Sequence, residues 1–106
     1  MDESQNWHFE TFIKGKPKPV TLVGQLLKIK EESYEWKVSK DLEELADIMI
    51  AIAGLRNLDR QLADIFEITV LSMIDVDLDE LGKAILAKLV INRQRTWQEI
   101  NGVWHH

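Results

Sequence analysis

The feature that most constrains this chain is the run Leu45-Ala-Asp-Ile-Met-Ile-Ala-Ile-Ala-Gly-Leu55. Read as a helix, it is apolar on every side except at Asp47. A helix of that kind lies inside a protein rather than on its surface. Burying an unpaired carboxylate costs several kcal/mol, so Asp47 needs a partner or a cation. Cover on all sides is a heavy demand on 106 residues. A core completed by oligomerisation, with four-helix cores shared across chains, is therefore expected.

The rest of the chain reads as helices around that segment. Both prolines fall before residue 20, so breakers are confined to the head. Residues 1–13 carry Trp7, Phe9, Phe12 and Ile13 and form either a short helix or an extended arm. Residues 14–19 form a basic loop that no helix should cross. Val20, Val23, Leu26, Leu27 and Tyr34 have helical spacing and predict a helix from about Val20 to Lys37. Asp41 with Glu44 has capping-box spacing and starts a second helix. Residues 59–74 either extend that helix or form another after Asp59. Asp77 with Glu80 repeats the capping pattern and opens a last helix from about Leu78 to Trp97, with Leu81, Ile85, Leu89 and Asn92 along one stripe. Residues 98–106 read as loop. The expected fold is a single all-α domain: an arm and loop over 1–19, a helical body over 20–97 and a tail.

Composition narrows the function classes. With 45% hydrophobic and 29% charged residues the chain has the profile of a soluble globular domain. It has no cysteine, which excludes a disulfide scaffold, a thiolate metal site and a cysteine nucleophile. A net charge of −5 disfavours binding to nucleic acid through its phosphates. No apolar stretch reaches the roughly 20 residues of a membrane span, and the acidic first 15 residues do not resemble a secretory signal. A cytoplasmic protein without membrane or nucleic-acid partners is expected.

The chemistry is in the acids. Glu31, Glu32 and Glu35 occupy two turns of the first long helix, and Glu44 and Asp47 repeat the three-residue spacing on the next. A short connection makes the two helices antiparallel neighbours. Glu32 and Glu35 then face Glu44 and Asp47. Four carboxylates at one place repel unless a divalent cation holds them, and hard oxygen ligands select Mg²⁺, Mn²⁺ or Ca²⁺.

Glu31-Glu32-Ser-Tyr-Glu35 followed by Glu44-Leu-Ala-Asp47 resembles the EExxE…ExxD signature of the MazG-like all-α nucleotide pyrophosphohydrolases. Lys88-Leu-Val-Ile-Asn92-Arg93-Gln-Arg95-Thr-Trp97 is similar to the KxxxNRxRxW ending of that superfamily. The head, with Trp7 and Thr11-Phe12 before a basic Gly/Pro loop, is similar to the phage-associated dATP/dGTP diphosphohydrolase branch. Residues 56–75 depart from the pattern and look like an insertion.

The resemblance implies a nucleoside triphosphate substrate, hydrolysed to a monophosphate and pyrophosphate with Mg²⁺ as cofactor, Mn²⁺ substituting. It implies Glu32, Glu35, Glu44 and Asp47 as ligands, with Glu31 as a ligand to a further ion or as general base. Lys88, Asn92, Arg93 and Arg95 would bind the triphosphate. Trp97 would either stack on the base or end its helix as a packing anchor. A homodimer or homotetramer is implied as well. His105 and His106 receive no role. Two alternatives use the same scaffold. One is a non-catalytic helical interaction protein. The other is a dUTPase-like or phosphoribosyl-ATP pyrophosphohydrolase-like enzyme with a different substrate.

Overall fold

The computed structural model describes residues 2–100 and 103–106. Its elements are α1 (Glu3–Phe12), α2 (Leu22–Ser39), α3 (Leu42–Leu55), α4 (Arg60–Met73), α5 (Leu78–Gln94), β1 (Gln98–Ile100) and β2 (Val103–His105). The head is thus a helix. The 59–74 segment is a helix of its own, started by Asp59, whose side chain accepts from the Leu62 N–H.

Local chemistry sets most of the helix ends. Asp2, Thr21 and Asp77 accept backbone N–H bonds at the starts of α1, α2 and α5, satisfying donors that have no partner within a helix. Asp41 departs from the capping-box expectation. Among the described residues its side chain makes no cap bond, and Glu44 turns toward other acids instead. Between α2 and α3 the chain reverses through Lys40, a non-glycine residue at φ 60°. Its N–H closes on the Trp36 carbonyl at 2.7 Å, and its ammonium lies 4.0 Å from the centre of the Trp36 ring. This tight reversal makes α2 and α3 an antiparallel hairpin.

Around α3 pack α1, α2, α4 and α5. Leu45, Ala46, Ile52 and Leu55 are each at most 2% exposed. A single chain therefore covers α3, contrary to the expectation that a second copy is needed. Arg56, just past the end of α3, pairs with Asp64 and Glu67 of α4 and ties α4 back to the core.

The tail is a second correction. Residues 98–105 contain a short antiparallel hairpin, with Glu99 opposite Trp104, and β2 packs on α2. Helix α5 ends at Gln94 rather than near Trp97, because the Trp97 indole turns back to donate to the Asn92 carbonyl at 3.2 Å. Among the described residues no helix is long and apolar enough to cross a membrane.

Candidate functional site

The α2–α3 hairpin brings the acids together. Glu32 and Glu35 from α2 and Glu44 from α3 each offer a carboxylate oxygen, all within 4.8 Å of one another. Asp47, one turn further along α3, meets Lys88 of α5 at 3.4 Å. Lys28, one turn before Glu32, pairs with it at 3.1 Å. The result is a patch of carboxylates on two helices with a lysine at either side.

The electrostatics show how costly this patch is. Glu32 is only 7% exposed. Burial pushes its carboxyl up to about 7, against the pull of Lys28, with Asp47 and Glu35 adding to the rise. Glu44 and Asp47 are raised too, first by withdrawal from water and then by neighbouring carboxylates, while Lys88 works the other way at both. Glu32 Oε2 and Glu44 Oε2 are buried with no hydrogen-bond partner among the described residues. A buried acceptor left unmatched is unfavourable. Two such oxygens in a cluster of hard donors fit a Mg²⁺ or Mn²⁺ ion, which satisfies carboxylate oxygens directly.

These acids line a cavity of about 250 Å³. Lys88 and Asn92 from α5, and Arg95 just past its end, line it as well. Asn92 is buried, and its Oδ1 accepts from Arg95 Nη1 at 3.2 Å. Arg93, one residue past Asn92, is turned about 100° away around the helix; it is exposed and is not among the lining residues. Glu31 lies at the rim, exposed.

Away from the acids the lining is aromatic. Trp97 makes edge contacts with Trp7 at 5.6 Å and Phe12 at 5.0 Å, and Phe12 also meets Trp104 at 5.5 Å. Trp97 is thus a packing anchor and part of the cavity wall together. His106 stacks edge-on against Trp97 at 5.2 Å and feels Arg95 and Lys28, so it joins the aromatic and charged parts.

Below the aromatic part lies a buried polar network. Gln25 Nε2 donates to the Ala51 carbonyl at 2.7 Å, which leaves its Oε1 to accept from His8 Nε2 at 2.8 Å. His8 Nδ1 then accepts from Asn57 Nδ2 at 3.1 Å. Both ring nitrogens are committed in the neutral form, and burial lowers the His8 pKa to about 4. The ring lies against α3 at Gly54, where a Cβ would come within 2.3 Å of His8 Cδ2.

Sequence reasoning passed over Lys28, His8, Gln25, Trp104 and His106. Lys28 alone had a legible signal, because it stands four residues before Glu32 on one helix. Comparison of the chain with protein-family models, curated proteins and solved structures found no match.

Proposed function

We propose that this protein is a metal-dependent nucleoside triphosphate pyrophosphohydrolase of the MazG-like kind, converting a (d)NTP and water to a (d)NMP and pyrophosphate. Purine deoxynucleotides such as dATP and dGTP are the proposed substrates, on the resemblance of the head, and the cytoplasm is the proposed setting. The observation that carries the reading is the Glu32–Glu35–Glu44 cluster, with its two unmatched buried oxygens, in the same cavity as Lys88, Asn92, Arg95 and an aromatic wall.

Each part has a chemical task. Glu32, Glu35, Glu44 and Asp47 would hold Mg²⁺, which when bound neutralises phosphate charge and makes a nearby water more acidic. Glu31, exposed at the rim, would accept the proton of the water whose oxygen attacks the α-phosphorus. The α–β bridging bond then breaks and pyrophosphate leaves. Lys88 and Arg95 place positive charge where negative charge accumulates, and Asn92 holds the Arg95 guanidinium in place. The aromatic wall accepts the base.

One observation favours the non-catalytic alternative. Lys28 and Lys88 already pair with Glu32 and Asp47, as in a structural ion-pair network. A dUTPase-like or phosphoribosyl-ATP pyrophosphohydrolase-like enzyme would use the same acids on another substrate. The deciding experiment is product analysis on all dNTPs and NTPs with Mg²⁺ or Mn²⁺, resolving pyrophosphate from orthophosphate. Monophosphate plus pyrophosphate supports the reading, and the preferred nucleotide identifies the base. No turnover by folded protein with metal present overturns it.

A homodimer or homotetramer remains part of the proposal, on a different footing. Since one chain covers α3, the support is now the outward apolar side chains Ile65 and Ile68 of α4 and Leu86 and Val90 of α5, each more than half exposed. Light scattering in solution tests it.

A further inference from the structure

Lys28 has no part in the proposed reaction, although it lines the cavity and its side chain is 20% exposed. It stands four residues before Glu32 and seven before Glu35, which sets all three on one side of α2, with Lys28 about 6 Å from Glu32 along the helix axis. Toward the acids it pairs at 3.1 Å with one Glu32 oxygen, Oε1. The other, Oε2, is buried and unmatched among the described residues. Toward the start of α2 the next turn brings Gly24 and Gln25 to the same lining. Gln25 bonds the His8 ring, which packs against Phe12. Lys28 thus lies where the acid part of the cavity meets the aromatic part.

We propose that Lys28 is a phosphate-binding residue held in reserve by Glu32: its ammonium pairs with that carboxylate in the metal-free chain and moves to an oxygen of the triphosphate when Glu32 ligates a divalent cation. The inference rests on the metal and nucleotide reading above and deepens it. Glu32, Glu35 and Glu44 offer oxygens within 4.8 Å of one another, so an ion held by them shares the carboxylate that Lys28 holds. Two cations on one carboxylate repel, and the ammonium is the one free to turn away, on a flexible four-carbon stem with three donors. Among the described residues Glu32 is its one ion-pair partner, so no second acid detains it. The Lys28–Glu32 pair thereby keeps a buried carboxylate compensated until the cation arrives. Metal and phosphate then enter cooperatively. The exchange adds to the neutralisation of the acid patch and does not replace it.

The test uses the full chain at about pH 8, where the Glu32 carboxyl is ionised, with Mg²⁺ and inorganic tripolyphosphate as the probes. Acetylation of lysines, read by mass spectrometry, follows Lys28 in the unaltered protein and so does not depend on a variant folding. Its labelling should be slow in EDTA, several-fold faster with Mg²⁺, and slow again once tripolyphosphate is added. Lys30, exposed on the same helix, is the reference and should label alike in all three. Lys28 labelling that ignores Mg²⁺, or that rises with Mg²⁺ and stays high with tripolyphosphate, overturns the proposal. Lys28→Met deletes the charge and keeps an unbranched stem. With Mg²⁺ saturating for each protein, it should bind tripolyphosphate about tenfold more weakly, the size of one lost charged hydrogen bond. A loss confined to Mg²⁺ binding, with tripolyphosphate affinity kept, makes Lys28 a structural partner of the acids and refutes the assignment. The outcomes also separate the two readings. A wild-type protein that binds Mg²⁺ and tripolyphosphate while Lys28 labelling stays constant loses the exchange but keeps the pyrophosphohydrolase reading. One that binds neither probe loses both.

Discussion

Replacing Glu32 by Gln should make the metal-free protein more stable. The Glu32 carboxyl titrates near 4.5 in an unfolded chain and at about 7 in the fold. Its contribution to stability is fully present below about pH 4.5 and is lost as pH rises through about 7. Above that, holding the charge in the fold costs about 3 kcal/mol, since each tenfold change in proton affinity is worth about 1.4 kcal/mol. A glutamine has nearly the same shape and no charge, although burying its amide returns about 1–2 kcal/mol of that gain. The net expectation at about pH 8 is a stabilisation of about 1–2 kcal/mol, shrinking as pH falls toward 4.5. Urea unfolding in EDTA measures it. Excess Mg²⁺ should reverse the ranking, because a ligand that binds only the fold adds about 2.7 kcal/mol at a hundred times its Kd, and the variant lacks a central donor. If Glu32→Gln is less stable than wild type at about pH 8 in EDTA, burial is not the cost described here. If Mg²⁺ raises both proteins equally, Glu32 is not a ligand.

Three more expectations concern other parts of the molecule. His8 is neutral in the fold, with its pKa lowered from 6.5 to about 4. The stability it contributes is present above about pH 6.5 and is lost as pH falls toward 4. Because Glu32 titrates with the opposite sign over part of that range, the quantity to follow is the wild-type minus His8→Gln difference in urea unfolding. It should move by about 2–3 kcal/mol against wild type between pH 6.5 and 4, and a flat difference refutes the assignment. Gly54→Ala should destabilise by about 2–3 kcal/mol, even though alanine is the better helix former, because its Cβ displaces the His8 ring and breaks the Gln25 and Asn57 bonds; thermal unfolding checks this. Asp47→Asn or Glu35→Gln should abolish turnover in a folded protein, Arg95→Ala should raise KM, and Arg93→Ala should do neither; near-normal activity in the first two removes them from the site.

What the sequence made legible was what depends on neighbours within a helix or across one short turn. The apolar character of α3, the cap at Asp77 and the breakers before residue 20 are local. The convergence of the acids needs only one tight reversal, at Lys40. What was illegible depends on pairing between distant segments. The strands at 98–100 and 103–105 are three residues each, too short for a period of two to stand out. The His8–Gln25–Asn57 network joins α1, α2 and the turn after α3, and nothing in the spacing of those residues announces it. The Asp41–Glu44 capping box misled because the pattern describes what Glu44 can do locally. Glu44 instead lies with Glu32 and Glu35, facing them across the hairpin.

The charge of the cavity separates the enzymatic reading from the structural one. Its lining includes the acids Glu31, Glu32, Glu35, Glu44 and Asp47 against the cations Lys28, Lys88 and Arg95. With all of these ionised, the cavity carries two negative charges in excess and repels a triphosphate. One divalent cation brings it to neutrality, which removes the repulsion and lets the cavity's cations hold a polyanion, and a second adds further attraction. If the site serves nucleotides, binding must therefore follow the metal. Wild-type protein should bind tripolyphosphate with Mg²⁺ and fail to bind it in EDTA. The double variant Glu31→Gln with Glu35→Gln removes the excess charge while leaving both lysine pairs in place, so it should bind tripolyphosphate in EDTA. Titration calorimetry reads both results. An ion-pair network kept only for structure predicts something else, because Glu32 and Asp47 are matched by lysines and the cluster holds no ion: Mg²⁺ should then leave tripolyphosphate binding unchanged in either protein. Indifference to Mg²⁺ would dispose of the metal-first argument, and a double variant that still needs the metal would show that charge balance is not what controls entry.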